Sequence, residues 1–296
     1  MALVTIGIPN YQRPDELARC LASLTAQSFR DIRILISDDN SPDPRVRVVM
    51  ETAAKADDRI ECVFQTSNIG MFANFWRLLQ DADSRYFMWS SNDDYWDREF
   101  VATMVALLEA DPSAAVACGG LRHFNDEGVS PVVYSPLRFA STADKGRDLT
   151  LFLEEPEILG KSHLLYGLYR TNALREAVRS FGFGAHDRWN EDVMVAFSVL
   201  CRHGVVATDT PFLFKHSRSG RLSPPERFIT DHGIPWRHYR AVTSGLLAAC
   251  ATPEQHALVR RIMWRRKLYH VAVTTWRKPL AKRLNRLSNK RHRAER

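Results

Sequence analysis

The sequence holds no run approaching the ~20 apolar residues that a membrane-crossing helix needs. Its start, MALVTIGIPNYQRP, lacks a basic segment and reaches a turn too early for a signal peptide. A protein that is soluble or peripheral at a membrane is expected. Cysteine is scarce, with five residues at positions 20, 62, 118, 201 and 250. No pair has the C-x-x-C spacing, which excludes a redox dithiol and a zinc ribbon. Cys20, Cys62, Cys118 and Cys201 have apolar neighbours and read as small core residues. Reduced cysteines of this kind predict a cytoplasmic location. No G-x-G-x-x-G follows the first predicted strand, which argues against a dinucleotide fold. Gly160-Lys161-Ser162 resembles the end of a phosphate loop, but Glu155 stands where that loop needs its first glycine. Neither H-E-x-x-H nor G-x-S-x-G occurs. No internal repeat is visible.

What is present is ordinary globular composition, 45% hydrophobic and 25% charged over 296 residues, enough for one large domain or two sharing a core. The net charge of +7 is unevenly placed. Residues 257–296 hold 14 basic side chains and one acidic, Glu295, whereas residues 1–256 hold 27 basic and 33 acidic. A mildly acidic body therefore carries a strongly basic tail. The body offers no nucleic-acid module, and no nucleic-acid partner is expected.

The first 120 residues alternate β-like runs with amphipathic helical stretches, the pattern of an α/β domain on a mainly parallel sheet. Strands are predicted at 3–8, 32–36, 60–65, 86–89 and 114–118, and helices at 14–26, 72–79 and 99–109, with another helix between the second and third strands. Polar residues cluster just past the ends of the first four strands, the edge where open α/β sheets bind ligands. The stretch 120–185 is irregular. A helix is predicted over 191–202, with Val193, Phe197 and Leu200 on one face, and short strands follow at 205–207 and 212–215. From about Pro225 the chain reads as helical. Its last part is two amphipathic basic segments broken at Pro279, with Leu258, Ile262, Tyr269, Val273 and Trp276 forming one apolar stripe.

Four groups of polar residues carry chemical interest. Asp93 and Asp94 are adjacent carboxylates that repel unless a cation compensates them. A hard divalent ion, shared with substrate phosphates, would do so. A solvated turn, or a cap on the helix that follows, explains them equally well, and Asp97 serves as a cap too. Asp38 and Asp39 form a similar pair, open to reading as an Asx turn or as an acceptor for a nucleobase N–H. Asn190, Glu191 and Asp192 open a helix, either as its cap and dipole partners or with Asp192 as a general base. His216, flanked by Lys215, Arg218 and Arg221, is a candidate for diphosphate or metal contact.

Taken together, IGIPNYQRPDELARCLASLTAQSF, ILISDDNSPD, the SNIG segment, SNDDYW and NEDVMVAF resemble the family 2 glycosyltransferases of the GT-A fold. The resemblance covers about the first 220 residues and is strongest over the first 110. It implies a Rossmann-like, mainly parallel sheet flanked by helices, here with a helical basic C-terminal extension. The implied organisation is a GT-A domain over 1–222, with a nucleotide-binding half at 1–120 and an acceptor half at 121–222, followed by the extension at 223–296. By resemblance, Pro9, Tyr11 and Arg13 pack around the nucleotide, Asp39 accepts from the base and Asn68 lies near it. Asp93 falls near the ribose, Asp94 and His216 match metal contacts, and Asp192 matches the catalytic base. The motif reads Asn-Asp-Asp where many members have Asp-x-Asp, which leaves open which carboxylate touches the metal.

The function so implied is an inverting glycosyltransferase, of hexosyl or N-acetylhexosaminyl type, acting in polysaccharide biosynthesis at the cell envelope. It takes a nucleoside-diphosphate sugar, a UDP-sugar by preference, and a glycan or lipid-linked acceptor, with Mn²⁺ or Mg²⁺ as cofactor. The basic tail, with Trp264 and Trp276, suits an anionic membrane surface at the inner face of the cytoplasmic membrane. Alternatively its apolar stripe packs on the body. Two other classes compete. A sugar-nucleotide nucleotidyltransferase would show a Gly-rich first loop, which residues 9–13 lack, and a non-catalytic surface-binding protein would have no use for Asp39, Asp94 and Asp192.

Overall fold

The computed structural model describes residues 2–155, 160–182, 191–217 and 238–272, with side chains to 268 in the last segment. Among these, nine strands form one sheet in the order β3-β2-β1-β4-β8-β6-β9-β5, with β7 paired to β6. The first half is as the sequence pattern predicts. Strands β1 (Val4–Asn10), β2 (Ile32–Asp38), β3 (Ile60–Phe64) and β4 (Tyr86–Trp89) pair in parallel. Between them run α1 (Pro14–Thr25), α2 (Pro44–Ala56) and α3 (Met71–Asp81). Central parallel strands are covered on both faces, which is why β4 reads as an unbroken apolar run and β1 as a largely apolar one. Helix α1 begins with Pro14, whose missing N–H costs nothing at a first turn, and buries Leu17, Cys20, Leu21 and Leu24 at helical spacing. At Gly7, a Cβ would meet Cζ of Phe87 at 2.9 Å and Cβ of Leu78 at 3.1 Å, so glycine lets α3 lie against the sheet.

Beyond β4 the pairing is mixed. Strand β5 (Tyr95–Trp96) precedes α4 (Phe100–Ala110); β6 (Ala114–Asn125) and β7 (Gly128–Tyr134) form a hairpin; α5 (Lys145–Glu154) and a 3-10 turn (Lys161–Tyr166) lead to β8 (Leu168–Arg170). Strand β8 is antiparallel to both β4 and β6 and joins the two halves of the sheet. Helices α6 (Thr171–Arg179) and α7 (Glu191–Arg202) precede β9 (Gly204–His216), which runs parallel to β6 and antiparallel to β5. The runs expected at 205–207 and 212–215 are therefore one strand, irregular in register beside Gly120. Asp97 does not cap α4 with its side chain; its Oδ2 accepts the Phe212 N–H at 2.8 Å and ties β9 in place.

Helix α7 was expected to bury one face, yet ten of its twelve residues are buried. The reason is that α8 (Tyr239–Ala249) covers its other side, and α8 in turn packs against α9 (Pro253–Ala272). Val242, Leu246, Val259, Ile262 and Met263 join the same core as Phe197 and Phe152. The start of the basic extension thus packs on the body. The boundary expected near 222, and Val273, Trp276 and everything beyond them, lie outside the described residues, as do Asn190, Arg218 and Arg221. All five cysteines are free thiols; Cys62 is half-buried and the other four, including Cys250, are buried. Among the described residues no helix is long and apolar enough to cross a membrane.

Candidate functional site

A cleft of about 560 Å³ opens at the C-terminal ends of the first four strands and reaches the end of β9. Seven of the nine site residues expected from the sequence line it: Pro9, Tyr11, Arg13, Asp39, Asn68, Asp93 and His216. The wall is held by a buried polar network that crosses three strand ends. Asn92 donates to Oδ1 of Asn10 (2.7 Å), Asn10 donates to Oδ1 of Asp38 (2.9 Å), and Asp38 accepts from the Ser41 hydroxyl (2.6 Å) and amide (2.9 Å). The Asx-turn reading thus belongs to Asp38. Asp39 points the other way, and its two oxygens accept the Ile69 and Gly70 amides at 2.7 and 3.0 Å. That clamp fixes the loop carrying Asn68 onto the end of β2.

The turn after β1 carries strain. Gln12 and Arg13 both adopt positive φ, 60° and 62°, a region that non-glycine residues visit only where the surroundings demand it. The result aims the Arg13 guanidinium at Asp93, Nη1 to Oδ2 at 2.9 Å, while Arg19 donates to the Asp93 carbonyl at 3.1 Å. Asp93 is therefore a cleft-wall carboxylate held by an arginine.

Asp94 lies behind that wall, fully buried. The antiparallel register of β5 and β9 pairs Tyr95 with Phe214 and Trp96 with Leu213, so Asp94 falls opposite Lys215, 121 residues away. Its Oδ2 accepts from Lys215 Nζ at 3.0 Å and its Oδ1 from the His216 amide at 2.9 Å. Burial raises the Asp94 carboxyl above its ordinary range, and the Lys215 ammonium opposes that shift. Burial pulls Lys215 down, but Asp94, Tyr166 and Asp93 outweigh it and hold the ammonium above its usual value. Asp94, a metal contact by resemblance, is paired with an internal cation, Lys215.

Asp192 is not on the cleft wall. It lies in the first turn of α7, which packs against the 161–166 turn that sends Tyr166 into the cleft. Burial raises its carboxyl, opposed by the Val193 amide, which donates at 2.8 Å, and by the Lys215 and Lys161 charges. A carboxyl shifted upward in this way suits a proton acceptor. Lys161, the residue of the false phosphate motif, is buried and donates to the Phe152 and Glu155 carbonyls, a structural tie.

The cleft also includes residues that sequence reasoning did not select. Lys215 was noted only as a neighbour of His216, yet it lines the cleft and its ammonium sits 4.4 Å from the Tyr166 ring centre. The Tyr166 hydroxyl is tied to Ser91 at 2.9 Å. Nothing in the irregular stretch 120–185 marked Tyr166. Among the described residues, no three His, Cys, Asp or Glu side chains gather in a way that would hold a metal ion.

The model of glycosyl transferase family 2 matches residues 5–167, more than half of the chain, and the protein belongs to that family. ExoW of Rhizobium meliloti, a succinoglycan biosynthesis protein, is 29% identical over 163 residues, 53% of this chain and 50% of ExoW. An uncharacterised protein of Mycobacterium tuberculosis is 27% identical over 139 residues, 46% of this chain and 39% of that protein. The matched segment thus spans half or less of these relatives. S. aureus TarS 1–349, solved with UDP-GlcNAc, shares the fold at a TM-score of 0.63 and 18% identity, over 91% of this chain and 72% of that one. The Pyrobaculum calidifontis mannosyltransferase PcManGT, solved with GDP-Man and Mn²⁺, has a TM-score of 0.52 at 13% identity, over 97% and 80% of the two chains. The fold is that of the GT-A glycosyltransferases.

Proposed function

We propose that this protein is an inverting glycosyltransferase that moves a sugar from a nucleoside-diphosphate sugar to a hydroxyl of a glycan or lipid-linked acceptor. The observation that carries the reading is the cleft itself. It gathers Pro9, Tyr11, Arg13, Asp39, Asn68, Asp93 and His216 from five separate segments at one sheet edge. Its volume, about 560 Å³, lies within the range of sites that enclose small ligands. Asp39, whose oxygens already accept the Ile69 and Gly70 amides, would take a base N–H on a remaining lone pair, and Tyr11 offers a half-exposed ring on the same cleft wall. A UDP-sugar is the favoured donor, in keeping with the UDP-GlcNAc bound by TarS.

The residues present fit a divalent ion at the diphosphate, because Mg²⁺ and Mn²⁺ need only one or two side chains when substrate phosphates complete the shell. Asp93 and His216, both on the cleft wall, would hold it; Asp93 is paired with Arg13 and Asp94 with Lys215, so either carboxylate would exchange an internal cation for the ion. When bound, such an ion supplies Lewis acidity to the departing diphosphate. Asp192 takes the proton from the acceptor hydroxyl as its oxygen bonds to the anomeric carbon from the face opposite the diphosphate. The bond from that carbon to the diphosphate oxygen breaks, and configuration inverts. ExoW's role in succinoglycan biosynthesis supports a polysaccharide acceptor. A membrane-borne acceptor is supported by α9, where Trp264 is 61% exposed and flanked by Arg260, Arg261 and Arg265.

Calorimetric titration with uridine, thymidine and guanosine diphosphates in Mn²⁺ tests the reading. One base should bind, and Asp39→Ala should weaken it. Binding of none of the three would overturn the donor site.

A further inference from the structure

We infer that a groove between α6 and α7, outside the donor cleft, is an exosite for an anionic saccharide, one that bears a carboxylate or a phosphate. The saccharide half of the inference rests on the glycosyltransferase reading, and the oxyanion half rests on the groove itself. The groove has a volume of about 540 Å³ and is lined by Asn172, Arg175, Glu176, Arg179, Ser180 and Arg202. It shares no lining residue with the donor cleft. Its volume lies within the range of small-ligand sites, but its wall is entirely polar, which suits a charged and hydroxylated ligand. Three guanidiniums against one carboxylate give that wall a net charge of +2.

Two of the guanidiniums are fixed before any ligand arrives. Arg175 donates through Nε and Nη2 to the Leu79, Gln80 and Ala82 carbonyls at the end of α3. Arg202 donates through Nη1 to the Ser198 carbonyl and hydroxyl, at 3.2 and 3.0 Å, and to the Ala249 carbonyl. Among the described residues, Nη1 of Arg175 and Nη2 of Arg202 have no partner, and neither is sealed in the interior. Glu176 stands 3.9 Å from Arg202 Nε, too far for a hydrogen bond, so it tempers that charge without capturing it. Arg179 lies four residues after Arg175, on the same face of α6. It is exposed, and among the described residues it makes no hydrogen bond or ion pair. Anchored guanidiniums lose little freedom on binding, and their planar edges match carboxylate and phosphate oxygens. Asn172, also exposed, offers an amide to a sugar hydroxyl. Helix α7 links the groove to the chemistry. It carries the proposed base, Asp192, in its first turn and Arg202 at its end, and ten residues of helix set them about 15 Å apart. A glycan of a few sugars spans that distance.

The test is calorimetric titration of the full chain with trigalacturonate, glucose 6-phosphate, neutral maltotriose and inorganic phosphate. Each titration is run with the cleft loaded by the nucleoside diphosphate that binds it in Mn²⁺. At least one of the two anionic saccharides should bind, about tenfold or more tighter than maltotriose and inorganic phosphate. Arg179→Ala should weaken that binding by about tenfold, the lower end for a hydrogen bond to a charged group, and leave the affinity for the nucleoside diphosphate unchanged. Binding of neither anionic saccharide, equal binding of maltotriose, or binding that Arg179→Ala leaves unchanged overturns the exosite. Equal binding of inorganic phosphate overturns the saccharide half and keeps the oxyanion half. A nucleoside diphosphate that fails to bind in Mn²⁺ overturns the donor site instead, and the same four titrations in buffer alone still decide the groove.

Discussion

From β1 to β4 the strands pair in parallel, and each site residue follows within a few positions of the strand that aims it. From β5 onward the pairing is mixed, and Lys215, His216 and Tyr166 reach the cleft from segments at least 70 residues beyond Asp93. The first half makes its site locally: a strand ends, a polar turn begins, and a clamp such as Asp39 to the Ile69 and Gly70 amides holds it. The second half makes its share at long range, through β5–β9 register for Lys215 and His216 and through packing of the 161–166 turn for Tyr166. One residue of slip between β5 and β9 would separate Asp94 from Lys215, because strand side chains alternate faces. Local sites tolerate change in their neighbours, whereas register-made sites depend on the packing of a whole strand.

Four experiments break or sharpen that contrast, in falling order of effect. Asp192→Asn should lower release of nucleoside diphosphate from the donor sugar by about 10²–10⁴-fold, with diphosphate affinity unchanged. A near-normal rate would remove the second half from the chemistry. The same carboxyl sets a pH expectation. Burial raises it above the ordinary 3.8, so protonation, and loss of the wild-type rate, should begin at a higher pH than for a free carboxyl as pH falls. That acidic limb should be missing in the residual activity of Asp192→Asn.

Next, Asp94→Ala should destabilise the chain by about 3 kcal/mol, because it strands the Lys215 charge. Breaking the Arg13–Asp93 pair by Arg13→Ala, where the arginine is 35% exposed, should cost under about 1 kcal/mol. Urea midpoints measure both, and equal losses would erase the difference between the halves.

Two glycines form the third comparison. A Cβ at Gly120 would meet the Asp209 carbonyl oxygen at 2.1 Å, whereas one at Gly7 meets the Phe87 ring at 2.9 Å. Backbone cannot yield without disturbing β9, so Gly120→Ala should cost about 3 kcal/mol and Gly7→Ala nearer 1 kcal/mol. Thermal melting of the two variants side by side decides it. Smallest is Ser41→Ala, which removes the hydroxyl bond to Asp38 and the acceptor of the Gln12 amide and should cost about 1–2 kcal/mol by the same melting assay.

Much of the first half was legible because its signals are short-range. Pro14 at a helix start, β-branched runs and polar turns place β1, α1, β2, β3, α3, β4 and α4 to within two residues of the observed bounds, whereas α2 was expected without bounds and the two-residue β5 was not expected. The second half misled in instructive ways. The strand expected at 114–118 continues through Gly119 and Gly120 to Asn125, and these are glycines because β9 passes too close for a side chain. The runs expected at 205–207 and 212–215 belong to one strand, β9, whose residues 208–211 bulge out of the β6 ladder before it resumes at Phe212. The single apolar face expected on α7 became a wholly covered helix once α8 lay across it.

The family, the first half of the fold and five residues of the cleft wall, Pro9, Tyr11, Arg13, Asp39 and Asn68, follow from the sequence by itself, because each rests on signals within a few positions of one another. Tertiary structure alone decided which carboxylate of the Asp93-Asp94 pair faces the cleft. The choice lies in the β5–β9 register, which gives Asp94 to Lys215 and leaves Asp93 on the wall with Arg13. No local pattern contains that information, since an ion pair across 121 residues exists only once both strands are in place.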